Sequence, residues 1–236
     1  MDTVAYLIMV PMVYAAVAVF LIGCVVRLAR VLAAPKVPHT LRVFPVRRAA
    51  PLLALYDTFA LPTVRRHQPL LWACLMLFHL AFLLLILGHL DLFPGIHLMP
   101  ADSPHMLGWG AIGAVLTAAV LYFLVRRFGS PYREISVPSD YLLLILLFLV
   151  FLTGDTISWG NSWNEAGFVI TKQDFGRYLA SLADFSFANP RDLLYGSHYV
   201  VVVLHVLFAN LFLLFFPFSK VMHTFFALPL NRLRRG

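Results

Sequence analysis

Charge is scarce in this sequence. Asp, Glu, Lys and Arg make up 12% of the 236 residues, where a soluble domain carries about 25%. The deficit excludes an ordinary water-soluble globule, and the 61% hydrophobic content shows what fills the gap. Cysteine is scarcer still. Cys24 and Cys74 lie in separate apolar runs, so no CxxCH motif, no paired CxxC metal site and no disulfide framework can be built. Both are expected to be packing residues. An HExxH metalloprotease motif, internal repeats and low-complexity tracts are also missing. The formal charge of +7 does not indicate nucleic acid, because the basic residues lie between apolar runs rather than in one patch.

The apolar runs themselves are long. A helix crosses the ~30 Å hydrocarbon core with about 20 residues, and five such spans are read at about 4–26, 69–90, 106–125, 139–158 and 197–218. The expected fold class is an all-α membrane protein, a five-transmembrane-helix bundle. No Lys or Arg precedes the first span, while Arg27 and Arg30 follow it. A cleavable signal peptide has the reverse order, so this span is expected to stay, with the N-terminus outside. Loop charges agree. The alternate segments on one side hold eight, three and four Lys/Arg, against three on the other side, all in the loop after span four. The positive-inside rule then puts the C-terminus in the cytoplasm and predicts a multi-pass protein of the bacterial inner membrane.

Two connections are long. The cytoplasmic segment 34–68 carries Pro35, Pro38, Pro45, Pro51 and Pro62, which excludes a long helix. Pro51–Leu61 is expected as a short interfacial helix with proline in its first turn. The outer loop 159–196 holds Trp159, Trp163, Tyr178 and Tyr195, residues suited to a membrane-surface belt or a partner contact. Its acidic residues are counted as Asp155, Glu165, Asp174, Asp184 and Asp192.

Histidine carries the chemical signal. His79, His89 and His205 lie within apolar runs or at their ends, and His223 comes just past the fifth. Ionisable side chains are costly in a bilayer and mark functional sites by default. Haem iron takes one imidazole from each face of the porphyrin, so bis-histidine sites pair residues on facing helices. His79 and His89 are ten residues apart, or about 15 Å along a helix, enough for one haem in each leaflet. Gly88 beside His89 leaves room for a porphyrin face. Span five runs antiparallel to span two. Its partners for His89 and His79 are either His205 with His223, about 27 Å apart if fully helical, or His198 with His205, about 10.5 Å apart on one face. Pro217 offers a bend that would shorten the first spacing. Spacing alone leaves both pairings open.

The stretches FHLAFLLLILGH and LHVLFANLFLLFFPFSKVMH resemble the respiratory nitrate reductase gamma subunit family of dihaem membrane cytochromes b. The shared features are His79-x9-His89, His205-x17-His223 and the tract Phe216-Pro217-Phe218-Ser219-Lys220, with Phe20-Leu21-Ile22-Gly23 a weaker match. The resemblance implies a single membrane cytochrome b domain over 1–236 holding two haem b. It implies His89 and His205 as axial ligands of the outer haem, His79 and His223 as those of the inner one, and His198 as a boundary histidine. It also implies a menaquinone or other quinone near the outer haem, where His105 is the candidate contact and His97 and Asp102 are weaker ones. Electrons would pass across the membrane between a quinone pool or a periplasmic donor such as a cytochrome c and a cytoplasmic iron–sulfur partner subunit. The long proline-rich segment is closer to cytochrome b subunits of transmembrane redox complexes in sulfate-reducing bacteria. Rival classes are a transporter or proton conductor, or a cofactor-free anchor.

Overall fold

The structure is a computed structural model and describes residues 2–33, 49–93, 95–96, 98–100, 110–163, 170–194, 196 and 198–235, without the side chains of 161–163, 233 and 235. Twelve α-helices and two 3-10 turns, and no strands, occur among the described residues. Five helical stretches are long and apolar enough to cross a membrane: Asp2–Leu32, Pro69–Leu90, Ala111–Phe128, Pro138–Gly160 and Tyr199–Phe218. These correspond to the five expected spans.

The first stretch is two helices, α1 (Asp2–Met9) and α2 (Pro11–Leu32). Pro11 lacks an N–H, so the ladder is interrupted there. Carbonyls at the break are met from elsewhere: Asn210 Nδ2 donates to Ile8 O at 2.9 Å and Tyr178 OH to Met9 O at 2.6 Å. After the undescribed residues come α3 (Ala50–Ala60), α4 (Pro62–His67) and α5 (Pro69–Leu90). Proline occupies the first turn of each, as its fixed φ favours. The stretch expected as Pro51–Leu61 is helical through Ala60, with Leu61 a left-handed cap at φ 44°. Its helix packs against α12 (His223–Arg235), with Asn231 Nδ2 donating to Thr58 Oγ1.

Next follow α6 (Ala111–Phe128), the short α7 (Tyr132–Ile135) and α8 (Pro138–Trp163). The connection after span four is more ordered than the sequence indicated. Within it lie α9 (Lys172–Ala183), opened by a Thr171/Asp174 capping box, and α10 (Pro190–Leu193). Tyr178 is not a belt residue. It is 4% exposed and joins a core with Met9, Leu194 and Val202, so its hydroxyl satisfies a carbonyl instead of meeting lipid headgroups. Trp163's side chain and Tyr195 lie outside the described residues.

The spans pack in the order α5, α6, α8, α11 (Tyr199–Phe215), α2. A core of Ala81, Leu116, Val120, Leu147 and Phe151 joins the first three. Leu77, Leu80, Leu83 and Ile86 of α5 stay exposed, an apolar surface suited to lipid, while the helical backbone satisfies its own polar groups. The arrangement leaves α5 packed along α6 and not along α11. A slot therefore separates the two spans that carry the histidines.

Candidate functional site

The helix of span five stops at Phe215. Two 3-10 turns, Phe216–Phe218 and Lys220–Met222, follow before α12 begins at His223. Ser219 between them is extended, at φ −103° and ψ 172°, so the helix axis does not continue. Pro217 starts this break by withholding an N–H. The 27 Å of a continuous helix is consequently not the distance from His205 to His223.

The break decides which rings meet. His89 on α5 and His205 on α11 have ring centres 6.4 Å apart with planes 20° from parallel. His79 on α5 and His223 at the start of α12 are also 6.4 Å apart, with planes 83° from parallel. His198 sits at the N-cap of α11, and burial holds its imidazole below the ordinary histidine pKa. The ring brought to His89 is that of His205, not His198.

Each of the four rings is oriented by its Nδ1. His79 contacts Leu75 O at 2.7 Å, His89 contacts Leu85 O at 2.9 Å, and His223 contacts Lys220 O at 3.0 Å. His205 reaches across to α8, 3.0 Å from Val150 O and 3.2 Å from Thr153 Oγ1. A carbonyl only accepts, so Nδ1 carries the proton and Nε2 keeps its lone pair, the arrangement that orients ligating histidines. His67 makes the same bond to Thr63 O, with no facing ring among the described residues. The pairing, rather than the Nδ1 bond, distinguishes the four.

Gly154 makes the closest approach possible. A Cβ there would lie 3.2 Å from His205 Cε1, so a side chain on α8 would press the ring by a few tenths of an ångström. The 6.4 Å separations suit a shared metal. Metal–imidazole bonds of about 2 Å on each side, plus the distances from nitrogen to ring centre, give about 6 Å. Among the described residues no three His, Cys, Asp or Glu side chains converge on one point. Two imidazoles across a slot leave the equatorial positions to a flat macrocycle, which fits haem.

The lower of the two sites is braced by Asp140. Its carboxylate is 4% exposed and meets Lys220 Nζ at 2.6 Å and Arg127 Nη1 at 3.3 Å. This junction joins α6, α8 and the turn leading to His223. On the opposite end, Asp91 caps α5 two residues after His89 and pairs with Lys172 at 2.6 Å. Sequence reasoning missed Asp155, counting it among loop acids. It lies inside α8, 3% exposed, and accepts from Thr117 Oγ1 at 2.6 Å. A Cβ on Gly113 would be 1.8 Å from its Oδ1, so that glycine admits the carboxyl group. The candidate quinone residues His105, His97 and Asp102, with Pro104 beside them, lie outside the described residues.

A membrane bundle with two imidazole pairs across one interhelical slot defines the class, a membrane cytochrome b. Residues 63–236 match the nitrate reductase gamma subunit family, and the chain belongs to it. It is 30% identical over 170 residues to the nitrate reductase gamma chain of Bacillus subtilis, covering 68% of this chain and 74% of that one. It is 28% identical over 170 residues to the Hdr-like menaquinol oxidoreductase cytochrome b-like subunit of Archaeoglobus fulgidus, covering 65% of this chain and 47% of that protein. A protein of the same description in Archaeoglobus profundus is 27% identical over 171 residues, covering 65% and 46%. The chain thus spans about half the length of the Archaeoglobus relatives. It is a multi-pass inner-membrane protein of a haem b cytochrome family.

Proposed function

We propose that this chain is a dihaem subunit that carries electrons across the membrane between a quinone pool or periplasmic donor and a cytoplasmic iron–sulfur partner. The observation that carries the reading is the pair of imidazole couples, His89 with His205 and His79 with His223, each with rings 6.4 Å apart. One haem b is held by each couple. When bound, haem supplies a one-electron Fe(III)/Fe(II) couple.

The protein's part is placement. Ten residues separate His79 and His89 on one rigid helix, which sets the sites about 15 Å apart along its axis. Protons on the Nδ1 atoms are held by backbone carbonyls, so the rings cannot rotate freely and Nε2 is presented to iron. Chain 1–236 forms a single membrane domain, and the Lys/Arg asymmetry supports the His223 end as the cytoplasmic one. That face, with its excess of cations, suits an acidic partner. A relative described as a cytochrome b-like subunit of a menaquinol oxidoreductase supports a quinone as redox partner, and its site is proposed at the His89 end with His105 as the candidate contact.

The test is haem stoichiometry. Purified with its partners, the chain should hold about two haems, extractable by acid–acetone because no covalent attachment motif exists. One haem per chain, or haem that resists extraction, would overturn the proposal.

A further inference from the structure

Asp155 is a carboxyl group that neither imidazole couple uses. It lies in α8, within a membrane-crossing stretch, and is 3% exposed. Oδ2 accepts the Thr117 hydroxyl at 2.6 Å. Oδ1 occupies the space that a Cβ on Gly113 would fill. Among the described residues Oδ1 has no hydrogen bond, and no cation pairs with either oxygen. The other buried aspartates differ: Asp91, Asp140 and Asp174 each pair with a Lys or Arg. An ionised carboxylate with one hydrogen bond is costly in such surroundings. Its charge state therefore depends on what stands nearby.

What stands nearby is His205. Thr153 Oγ1 is 3.2 Å from His205 Nδ1, and a Cβ on Gly154 would be 3.2 Å from His205 Cε1. Consecutive Cα atoms are about 3.8 Å apart, so one residue of helix separates the carboxyl from the residue against the ring. Two long helices pack on α8. From α6, Asp155 meets Gly113 and Thr117, neither of them titratable; Tyr122, Arg126 and Arg127 lie further along that helix. From α11 come His205, whose Nδ1 is held by Val150 O, and Tyr199, which belongs to the core around Met9. Charges this close interact strongly in a low-dielectric interior and are little screened by salt.

We propose that Asp155 is the proton-binding group coupled to the haem between His89 and His205, its carboxylate taking up one proton when that haem gains an electron. This rests on the dihaem reading above. The electron comes from the quinol or periplasmic donor proposed there, and the proton from the aqueous phase. One O–H bond forms on Asp155, the iron is reduced by one electron, and the buried net charge stays the same. Passing the electron on releases the proton. Thr117 supports the ionised state by donating to it, and Gly113 gives the carboxyl its place between the helices.

The experiment is a redox titration of both haems at a series of pH values in the purified complex. The wild-type midpoint of the His89–His205 haem should fall as pH rises, because its reduction takes up a proton. Asp155→Asn keeps the shape and the acceptor for Thr117. It should retain two haems per chain and hold that midpoint independent of pH, near the wild type's low-pH value. Thr117→Val withdraws the donor from the ionised carboxylate, so it should move the sloping range to higher pH without abolishing it. Infrared difference spectra should show a protonated carboxyl appearing on reduction in the wild type and absent from Asp155→Asn. If Asp155→Asn fails to assemble, the wild-type spectrum and the Thr117→Val shift decide the matter.

A wild-type midpoint independent of pH, a slope that survives Asp155→Asn, or an equal loss of slope at both haems would overturn the proposal. Asp155 would then be a structural hydrogen bond between α6 and α8. His205→Ala identifies which titration wave belongs to this site and separates the two levels of argument. If it retains both haems, the dihaem assignment has failed; if it loses one and Asp155→Asn keeps the slope, only the proton assignment has.

Discussion

Gly23 on α2 lies directly against Pro217. A Cβ added to Gly23 would stand 2.6 Å from Pro217 Cβ and 2.7 Å from its Cγ, closer than carbon atoms approach. The contact belongs to a larger docking face. Phe20 meets Phe216 edge-on at 5.0 Å, Cys24 Sγ lies 3.8 Å from Met222 Sδ, and Arg27 binds the Pro217 carbonyl. Positions 20, 23, 24 and 27 share one helical face. That face of α2 grips the break that turns His223 toward His79.

Enlarging Gly23 should therefore act at a distance. The pyrrolidine ring is rigid, so Gly23→Leu must displace the 216–222 segment, at an overpacking cost of about 1–3 kcal/mol. The expected outcome is loss of the His79–His223 haem with retention of the other. Haem content and redox titration of the variant measure it. Loss of both haems, or of neither, would show that the contact does not set the position of His223.

Single histidine replacements test the pairing. His89→Ala or His205→Ala should remove one haem, and His79→Ala or His223→Ala the other, each halving haem per chain. His198→Ala should retain both, because His205 provides the ring at His89. Haem lost from His198→Ala but kept in His223→Ala would restore the continuous-helix pairing.

Ring planes give a spectroscopic expectation. Each imidazole π system overlaps one iron d orbital, so parallel rings split the d levels and perpendicular rings leave them nearly degenerate. The 20° couple of His89 and His205 should give a rhombic low-spin ferric signal. The 83° couple of His79 and His223 should give a highly anisotropic one. Low-temperature EPR of the oxidised complex checks this, and two signals of the same type would contradict the ring geometry.

The Asp91–Lys172 bridge predicts a pH dependence. Burial by itself raises the Asp91 carboxyl pKa, but the Lys172 ammonium and the N–H groups of Met99 and Leu98 override it and hold the value below the ordinary one. A depressed pKa contributes stability that is full above the unfolded value, about 3.9, and fades as pH falls through the folded value. Asp91→Asn should cost about 3 kcal/mol at neutral pH, since it strands a largely buried ammonium. The variant should also lose the acid dependence contributed by this pair. Thermal unfolding in detergent between pH 3 and 7 measures both effects; parallel wild-type and variant profiles would refute the assignment.

Much of the bundle was legible because a bilayer imposes one rule on every span. Twenty apolar residues satisfy their own backbone groups as a helix, so the five spans could be read from hydropathy, and Pro51 and Pro69 marked helix starts that the structure contains. Short connections obey no such rule. The α9 helix depends on a capping box and on packing beneath α1, and the burial of Tyr178 follows from that packing. Asp155 was misread for a related reason: nothing local distinguishes a helix-interior carboxyl from a loop acid, and its acceptance depends on Thr117 and Gly113 of another helix.

The histidines divide in the same way. By itself the sequence determined that four imidazoles fall within or just past two antiparallel apolar runs, because composition and a ten-residue spacing are properties of the chain alone. Spacing left both His198 and His223 open, since a helix extrapolated at 1.5 Å per residue carries His223 about 27 Å from His205, and only the family resemblance favoured His223. Only the tertiary structure chose which rings meet. Pro217 weakens the helix locally, but a missing N–H sets no direction; the direction comes from α2, whose Gly23 pocket, Phe20 and Arg27 hold the broken segment, and from the Asp140–Lys220 pair that anchors its far side.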